Sequence, residues 1–166
     1  QLTRAQLFSL MTQALGIGYT GESQCSDVWA DRWYASAVNA MAELGFVEGY
    51  SDGTFQPDAL LTYEQFITFM SRLAAYLNLD VYEYVKDQDA QALAEDTELA
   101  VFSSWAKSGV DVMARMMRSS ADDSVVSMLP VALEDIDPQA TVLREEAAAT
   151  LESLRDIFPD GSYWNH

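Results

Sequence analysis

The chain is poor in the residues from which most catalytic and metal sites are built. Its 166 residues include one cysteine, Cys25, and one histidine, His166. A single cysteine excludes an internal disulfide and a multi-cysteine zinc site, and a lone cysteine is usually a small buried apolar residue. A single histidine at the last position argues against a histidine-based catalytic triad. The sequence contains no phosphate loop and no dinucleotide fingerprint, so no cofactor is predicted.

Basic residues are also scarce, since 9 lysines and arginines face 26 aspartates and glutamates, for a net charge of −17. Nucleic acids and anionic membrane surfaces need clustered basic charge, so both are unfavourable as general partners. No segment approaches the roughly 18 apolar residues of a membrane helix, which argues against membrane insertion. An anionic ligand would therefore depend on a few local arginines acting against the overall field.

The sequence instead contains repeats. Residues 26–66 read SDVWADRWYASAVNAMAELGFVEGYSDGTFQPDALLTYEQF, in which a helical segment is followed by a glycine loop and a second helical segment. Gapless alignments connect three stretches with later ones at offsets of 59, 72 and 81: 2–15 with 61–74, 33–42 with 105–114, and 54–65 with 135–146. Such spacing predicts an array of similar units.

The alignments predict one domain over residues 1–166, of mainly all-α class, in which each unit is a helix, a loop and a helix. Its parts are the C-terminal helix of a first repeat at 1–20, a complete second repeat at 25–80, a degenerate third repeat at 87–157 with an insertion near 117–134, and a tail or the start of a further element at 158–166. A chain of this length can bury a core as one compact domain.

Threonines open the recurring helices. Thr3 and Thr62 are each followed three residues later by a glutamine, Gln6 or Gln65, which is the pattern of a capping box. Apolar residues follow at helical spacing in all three copies. We expect these three stripes to pack together as a central three-helix bundle.

The lateral helix of the full repeat is expected to begin after a cap at Asp31, with Trp33 on its apolar face. Gly45 is well placed to end it in a left-handed conformation. The segment Ser51-Asp52-Gly53 then has strong turn chemistry, which predicts a sharp loop.

An arginine follows the capping position in two copies, as Arg4 and Arg144, whereas Tyr63 takes that place in the second copy. A cation is unfavourable at a helix start because of the helix dipole, so its recurrence suggests a use. We favour the binding of an anionic group beside free N–H donors of the helix start. The alternative is a surface arginine paired with a nearby carboxylate.

Trp33, Trp105 and Tyr50 are candidates for ligand contact. An exposed aromatic ring beside a groove offers a flat apolar face to a sugar ring, whereas core packing is the alternative. Core packing is the favoured interpretation of Trp105, and the sequence leaves open whether Trp33 faces solvent. Tyr50 lies in a polar turn and is expected to be exposed.

Acidic clusters give no strong signal. The segment 87–98 has a spacing loosely similar to that of a calcium loop, but Ala92 stands where such a loop needs glycine, so no metal site is predicted. No motif places two carboxylates beside a nucleophile or a base. We therefore predict no catalytic residues and no enzyme activity.

These motifs resemble those of the S-layer homology family. The resemblance rests on Ser26-Asp27-Val28 with Trp33, on the loop Gly49–Phe55 with Pro57, and on Leu2-Thr3-Arg4-Ala5-Gln6. It implies a pseudo-threefold array of helix-loop-helix repeats around a central three-helix bundle. It also implies non-covalent anchoring of a secreted protein to the bacterial cell wall, through inter-repeat grooves that bind secondary cell-wall polysaccharide, often pyruvylated.

The resemblance implies a monomeric domain whose ligand-binding residues are Arg4, Trp33, Gly49, Tyr50, Ser51, Asp52, Gly53 and Arg144. Tyr63 departs from the family pattern, and the third repeat lacks the glycine loop, so at most two grooves are expected to be competent. Phe158-Pro159-Asp160 is a hypothetical replacement for the missing start of the first repeat. The alternative function is a degenerate module for protein interaction or spacing, without glycan binding.

Overall fold

The computed structural model describes residues 1–47, 49–77, 96–119, 125–129 and 131–156. Within these residues the fold is mainly helical, as predicted. The helices are α1 (Arg4–Leu15), α2 (Ala35–Glu43), α3 (Tyr63–Tyr76), α4 (Asp96–Leu99), α5 (Lys107–Arg115) and α6 (Arg144–Asp156). Two short antiparallel strands, β1 (Met117–Ser119) and β2 (Val125–Ser127), lie in the predicted insertion, with Met117 opposite Ser127.

The chain divides into two compact units, one built from Gln1–Leu61 and the other from Thr62–Pro159. In the first unit α1 packs against α2. In the second unit α3 packs mainly against α5 and also against α6, while α4 contacts α5. The pseudo-threefold arrangement of the repeats stays a prediction.

The predicted threonine caps begin both α1 and α3. Thr3 Oγ1 accepts a hydrogen bond from the Gln6 backbone N–H at 3.3 Å, and the Gln6 side chain accepts one from the Thr3 N–H at 3.0 Å, which completes a capping box. Thr62 Oγ1 likewise accepts from the Gln65 N–H at 3.4 Å. Gly45 follows α2 with φ of 77°, the left-handed conformation predicted for it.

A turn of the same unit binds the first backbone N–H groups of α1. Arg4 and Ala5 donate to the carbonyls of Ala59 and Pro57, both at 3.0 Å. A helix leaves its first four N–H groups without intrahelical partners, and this turn satisfies two of them. The prediction of free donors beside Arg4 for an anion is therefore wrong, because backbone carbonyls already occupy them.

The same arrangement recurs at the start of α3 in the second unit. Tyr63 donates to the Ala140 carbonyl at 3.0 Å, and Glu64 donates to the Pro138 carbonyl at 3.2 Å. Pro138 aligns with Pro57 at the offset of 81, so the two turns are copies of each other. The repeat thus keeps the same backbone contacts where a proline turn meets a helix start.

Buried apolar stripes run along the recurring helices, largely as predicted. The buried members are Leu7 and Met11 of α1, Phe66, Phe69, Met70 and Leu73 of α3 with Leu77 after it, and Ala147, Leu151 and Leu154 of α6. Leu10 and Ala14 are half-buried and Ala148 is exposed, so the outer rows of α1 and α6 are partly solvated. Burying one large apolar side chain contributes about 1.5–3 kcal/mol, so these stripes stabilise the units.

The lateral helix of the second repeat begins later than predicted. Its cap is Tyr34, which makes no side-chain capping bond, so the prediction of Asp31 as the cap is wrong. The preceding residues form tight turns, since Arg32 N–H donates to Trp29 O and Ala35 N–H donates to Arg32 O, both at 3.0 Å. Trp33 therefore lies in a turn before α2 and is not on its apolar face.

A buried carboxylate braces the second unit. Glu64 is buried near the start of α3 and accepts hydrogen bonds from the Ser103 N–H and hydroxyl, both at 3.1 Å, and from Gln139 Nε2 at 2.8 Å. Hydrogen bonds satisfy a carboxylate that would otherwise be costly to bury. Glu64 thus connects α3 with the segment before α5 and with the proline turn.

Tyr63 connects α3 with α6. Its hydroxyl donates to the Glu146 carboxylate, whose other oxygen accepts from the Leu143 N–H at 2.7 Å. Burial, followed by the hydrogen bond and the charge of Glu146, raises the pKa of Tyr63 to about 12. The residue in the place of the arginine has therefore become part of the packing between two helices.

Close packing of α3 on α5 depends on Gly109. A Cβ atom at this position would lie 2.7 Å from Ser71 Oγ and 3.2 Å from the Thr68 Cα. We expect Gly109→Ala to destabilise the second unit by about 1–3 kcal/mol, because the helices must separate to admit the methyl group. Urea unfolding followed by circular dichroism measures this loss.

Two further variants control for the helix propensity of alanine. Ser108→Ala lies on the same helix but is exposed, and it should change the free energy of unfolding by less than about 0.5 kcal/mol. Ser71→Ala removes the atom nearest to the new Cβ, so it should restore part of the stability of Gly109→Ala. An unchanged free energy of unfolding in Gly109→Ala would contradict the close contact.

The raised pKa of Tyr63 predicts a pH dependence of stability. An unfolded tyrosine ionises near pH 10, whereas Tyr63 ionises at about 12 in the fold. Its contribution is therefore fully present below about pH 10 and is lost as the pH rises through about 12. We expect the unfolding free energy of the wild type to fall more steeply over this range than that of Tyr63→Phe. Equal slopes in denaturant titrations would show that the phenol is not protected.

Candidate functional site

The glycine loop of the second repeat folds as a closed turn. The Tyr50 N–H donates to the Thr54 carbonyl at 2.8 Å, and the Gly53 N–H donates to the Tyr50 carbonyl at 2.9 Å. Gly49 and Gly53 have φ of 70° and 80°, a region that glycine adopts without strain. A Cβ at Gly49 would also lie 3.2 Å from the Thr54 carbonyl oxygen. The turn therefore requires glycine at both positions.

Asp52 shapes the tip of this loop. Its Oδ1 accepts hydrogen bonds from the Thr54 N–H at 2.9 Å and the Thr54 hydroxyl at 2.7 Å, and these bonds lower the pKa of the carboxyl. Ser51, Asp52 and Gly53 are exposed. The predicted turn is thus present, and its tip offers polar groups to solvent.

Asp27 fastens the far end of the loop to the segment before α2. Its two carboxylate oxygens accept hydrogen bonds from the Phe55 N–H at 2.7 Å and the Gln56 N–H at 2.8 Å. Gln56 has φ of 58°, an unfavourable conformation for a residue with a side chain. Such strain persists only where surrounding contacts hold it, and Asp27 supplies two of these contacts.

Arg4 is buried, with only 6% of its surface exposed, and it packs on the same loop. Its Nε donates to the Phe55 carbonyl at 2.9 Å, and its Cζ lies 5.0 Å and 4.8 Å from the ring centroids of Tyr50 and Phe55. Burial lowers the pKa of Arg4, against the opposing influence of Tyr50, Cys25 and Asp27. The alternative of a surface arginine is therefore wrong for Arg4.

Cys25 lies near Arg4 and the loop, and it is half-buried rather than fully buried. Burial and the charge of Asp27 raise the pKa of its thiol, while Arg4 acts in the opposite direction. A raised thiol pKa disfavours the reactive thiolate. The position supports a packing role beneath the loop.

Trp33 is 65% exposed, which answers the question that the sequence left open. It lies on a neighbouring hollow of about 360 Å³ that we call the tryptophan hollow, lined by Trp29, Arg32, Trp33, Tyr34, Pro57 and Asp58. Asp27 also lines this hollow, so it joins the hollow to the loop. The Trp33 and Tyr34 rings meet edge-on with centroids 5.3 Å apart.

Sequence reasoning did not identify Trp29 and Arg32 as site residues. Trp29 is 57% exposed, and the Arg32 guanidinium lies 5.1 Å from its ring centroid. The available signal was a second tryptophan and an arginine within five residues of Trp33. No helical or strand period groups them, because the turns before α2 bring them together.

The structure brings Arg4 and Tyr50 together, and it places Trp33 in the adjoining hollow of the same unit. Arg144 belongs to the second unit, where it is the exposed first residue of α6. Trp105 is 54% exposed, so the expectation of core packing is wrong for it. Like Trp33, it lies in a turn before its lateral helix, here α5.

The third repeat contains a hollow at the place equivalent to the tryptophan hollow. Its volume is about 590 Å³, and Pro138 corresponds to Pro57. Its described lining includes three carboxylates, Glu98, Glu134 and Asp137, and no arginine or lysine. This third-repeat hollow therefore has the opposite electrostatic character to a site for an anion.

Among the described residues, no group of three or more histidine, cysteine and acidic residues could hold a metal ion. Most of the segment 87–98, weighed as a calcium loop, lies outside the described residues, as do Glu48 and the residues 158–166. None of the described helices has both the length and the apolar character needed to cross a membrane.

Comparison with known proteins is consistent with these motifs. Residues 27–67 match the S-layer homology domain. The chain is 31% identical over 111 residues to the surface-layer 125 kDa protein of Lysinibacillus sphaericus and 27% identical over 106 residues to a cell surface protein of Thermoanaerobacter kivui. It is 29% identical over 157 residues to the exoglucanase XynX of Acetivibrio thermocellus.

These three alignments cover 67%, 60% and 92% of this chain. They cover only 8%, 14% and 13% of the relatives, so the chain spans a small part of the length of each protein it matches. The motifs quoted for the resemblance fall largely within the matched residues 27–67. The chain therefore carries an S-layer homology domain at residues 27–67, and its similarity to surface-layer and cell-surface proteins supports a cell-surface anchoring module.

Proposed function

We propose that this chain anchors a secreted protein to the bacterial cell wall non-covalently, by binding secondary cell-wall polysaccharide and without catalysis. The observation that carries the proposal is the exposed Trp33 beside a loop held rigidly in the same unit. An exposed indole ring leaves apolar surface in water, and the flat face of a sugar ring can cover that surface. The names of the surface-layer and cell-surface relatives support the same location.

The first unit provides a distinct role for each candidate residue. Trp33 and Tyr50 offer aromatic faces to sugar rings, and the exposed loop tip, residues 51–53, offers hydroxyl, carboxylate and backbone groups for hydrogen bonds. Arg4 acts through the loop, because it contacts Tyr50 and binds the Phe55 carbonyl. Its charge also favours an anionic sugar, such as a pyruvylated one, at the loop.

Spacing or protein interaction is a second candidate function, and contacts in the second unit favour it for the third repeat. Tyr63 bonds to Glu146 where the first unit has Arg4, and Glu64 bonds to Ser103. These polar groups are used within the unit, and the glycine loop is absent there. We propose that the third repeat serves as a spacer or protein-interaction module without glycan binding.

Arg144 has a different status from Arg4 in this proposal. Arg4 gains its contacts from the loop of the following repeat, whereas a corresponding loop for Arg144 would have to follow α6, beyond the described residues. Within the described residues, Arg144 is exposed and its side chain makes no hydrogen bond or ion pair. It serves as the matched control for Arg4.

Replacement of Trp33 tests the observation on which the proposal rests, namely that this exposed tryptophan lies beside the loop. We expect Trp33→Ala to reduce sedimentation of the domain with cell walls of the encoding organism, since the main stacking surface is removed. Trp105→Ala is the matched control, because it deletes a tryptophan that is also more than half exposed, at the aligned position of the third repeat. Walls stripped of their polysaccharide should retain neither the wild type nor the two variants. Wild-type sedimentation with stripped walls, or equal losses in both variants, would contradict the proposal.

Replacement of Arg4 tests the positioning role. We expect Arg4→Ala to weaken wall binding by about 1.5–3 kcal/mol, the scale of a charge-assisted hydrogen bond. Arg4→Lys should not restore binding, because lysine lacks both the Nε donor to Phe55 and the planar group that stacks on Tyr50.

Binding isotherms with purified wall polysaccharide measure both effects, and Arg144→Ala should bind as the wild type does. Full binding by Arg4→Lys would show that Arg4 acts only through its charge. Full binding by Arg4→Ala would remove Arg4 from the site altogether.

A further inference from the structure

The tryptophan hollow combines two exposed aromatic rings with groups of both charges. Arg32 is held on the Trp29 ring, since its guanidinium lies 5.1 Å from the ring centroid and its backbone N–H donates to the Trp29 carbonyl at 3.0 Å. Trp33 and Asp58 line the same hollow. One hollow thus presents flat apolar faces, a planar donor and a carboxylate acceptor.

The Arg32 and Asp58 side chains of the hollow are available to a ligand. Neither Arg32 nor Asp58 has a side-chain hydrogen bond or ion pair within the described part of the chain. Both act on the same neighbour: burial raises the pKa of Tyr34, Asp58 raises it further, and Arg32 opposes them. The two charges therefore face a common space without neutralising each other in a direct contact.

We propose that the tryptophan hollow is a subsite for a neutral, hydroxyl-rich sugar residue, in which Trp29 and Arg32 determine specificity. This inference rests on the proposed binding of wall polysaccharide and adds a ligand class and two residues to it. The indole faces pack against the ring, while the guanidinium donates to sugar hydroxyls and Asp58 accepts from them. A hollow of about 360 Å³ lies within the usual range for small-molecule sites.

The charge of the hollow favours a neutral residue over an anionic one. Two carboxylates, Asp27 and Asp58, line it against the single guanidinium of Arg32. A carboxylate on the ligand would gain one attraction and meet two repulsions at close range.

The third-repeat hollow provides a comparison for the tryptophan hollow. At the offsets of 72 and 81, Val101 stands for Trp29, Ser104 for Arg32 and Gln139 for Asp58. The same fold position thus lacks the Trp29 ring and the cation, and its described lining carries three carboxylates. The residues that differ are the ones to which the proposal assigns specificity.

Exchange of these residues provides the first test. The double variant Trp29→Val/Arg32→Ser gives these two positions the residues found at the aligned positions of the third repeat. We expect its dissociation constant for purified wall polysaccharide to rise by about tenfold or more, with an unchanged unfolding midpoint because both side chains are exposed. Trp105→Val is the matched control and should bind as the wild type does. A folded double variant with wild-type affinity would overturn the inference.

Indole resonances provide the second test, because the chain has four tryptophans and hence four indole N–H signals. The domain is titrated with the wall polysaccharide and with the same polymer after reduction of its carboxylates to alcohols. We expect the Trp29 and Trp33 signals to shift equally with both polymers and the Trp105 signal to stay in place.

The possible outcomes separate the two proposals. Loss of the Trp29 shift at concentrations that saturate binding of the reduced polymer would show that the hollow binds the anionic group, and it would overturn the inference while leaving wall binding intact. Polymer binding without a shift of Trp29 would overturn it as well. If the wild type binds neither polymer, the proposed function itself fails and the inference fails with it.

Discussion

Two backbone hydrogen bonds at the start of α1 and of α3 are the contacts on which the described structure depends. In each unit a proline turn supplies two carbonyls to helix N–H groups that have no partner within the helix. These bonds fix the end of the preceding loop against the helix start, at Pro57 in one unit and at Pro138 in the other. The position of every other group near the helix start follows from this constraint.

The arginine at the start of α1 illustrates that dependence. With the backbone donors already used, an anion cannot bind there as it does at an open helix start. Arg4 instead reaches the loop that the proline turn holds in place, where its side chain bonds to Phe55 and packs on Tyr50. The unfavourable position of a cation beside the helix dipole is offset by these contacts. Asp27 secures the other side of the same loop.

Equivalent positions in the two units make different contacts. In the first unit they hold a loop and leave Trp29 and Trp33 exposed around a hollow. In the second unit Tyr63 and Glu64 bond to neighbouring segments, and the corresponding hollow is lined by carboxylates. One backbone framework can therefore carry an exposed aromatic hollow in one unit and a carboxylate-lined hollow in the other, because the framework depends on backbone hydrogen bonds and the apolar stripes rather than on the exposed residues.

The sequence by itself determined the helical class, the threonine caps, the apolar stripes and the glycine loop, because these depend on local spacing and backbone conformation. Only the tertiary structure decided that Arg4 is buried, that Trp105 is exposed and that Arg32 lies on Trp29. Such facts depend on which segments meet across tens of residues and on turns that have no period. Burial and exposure of a side chain are set by those long-range contacts, so the pattern of the chain alone does not contain them.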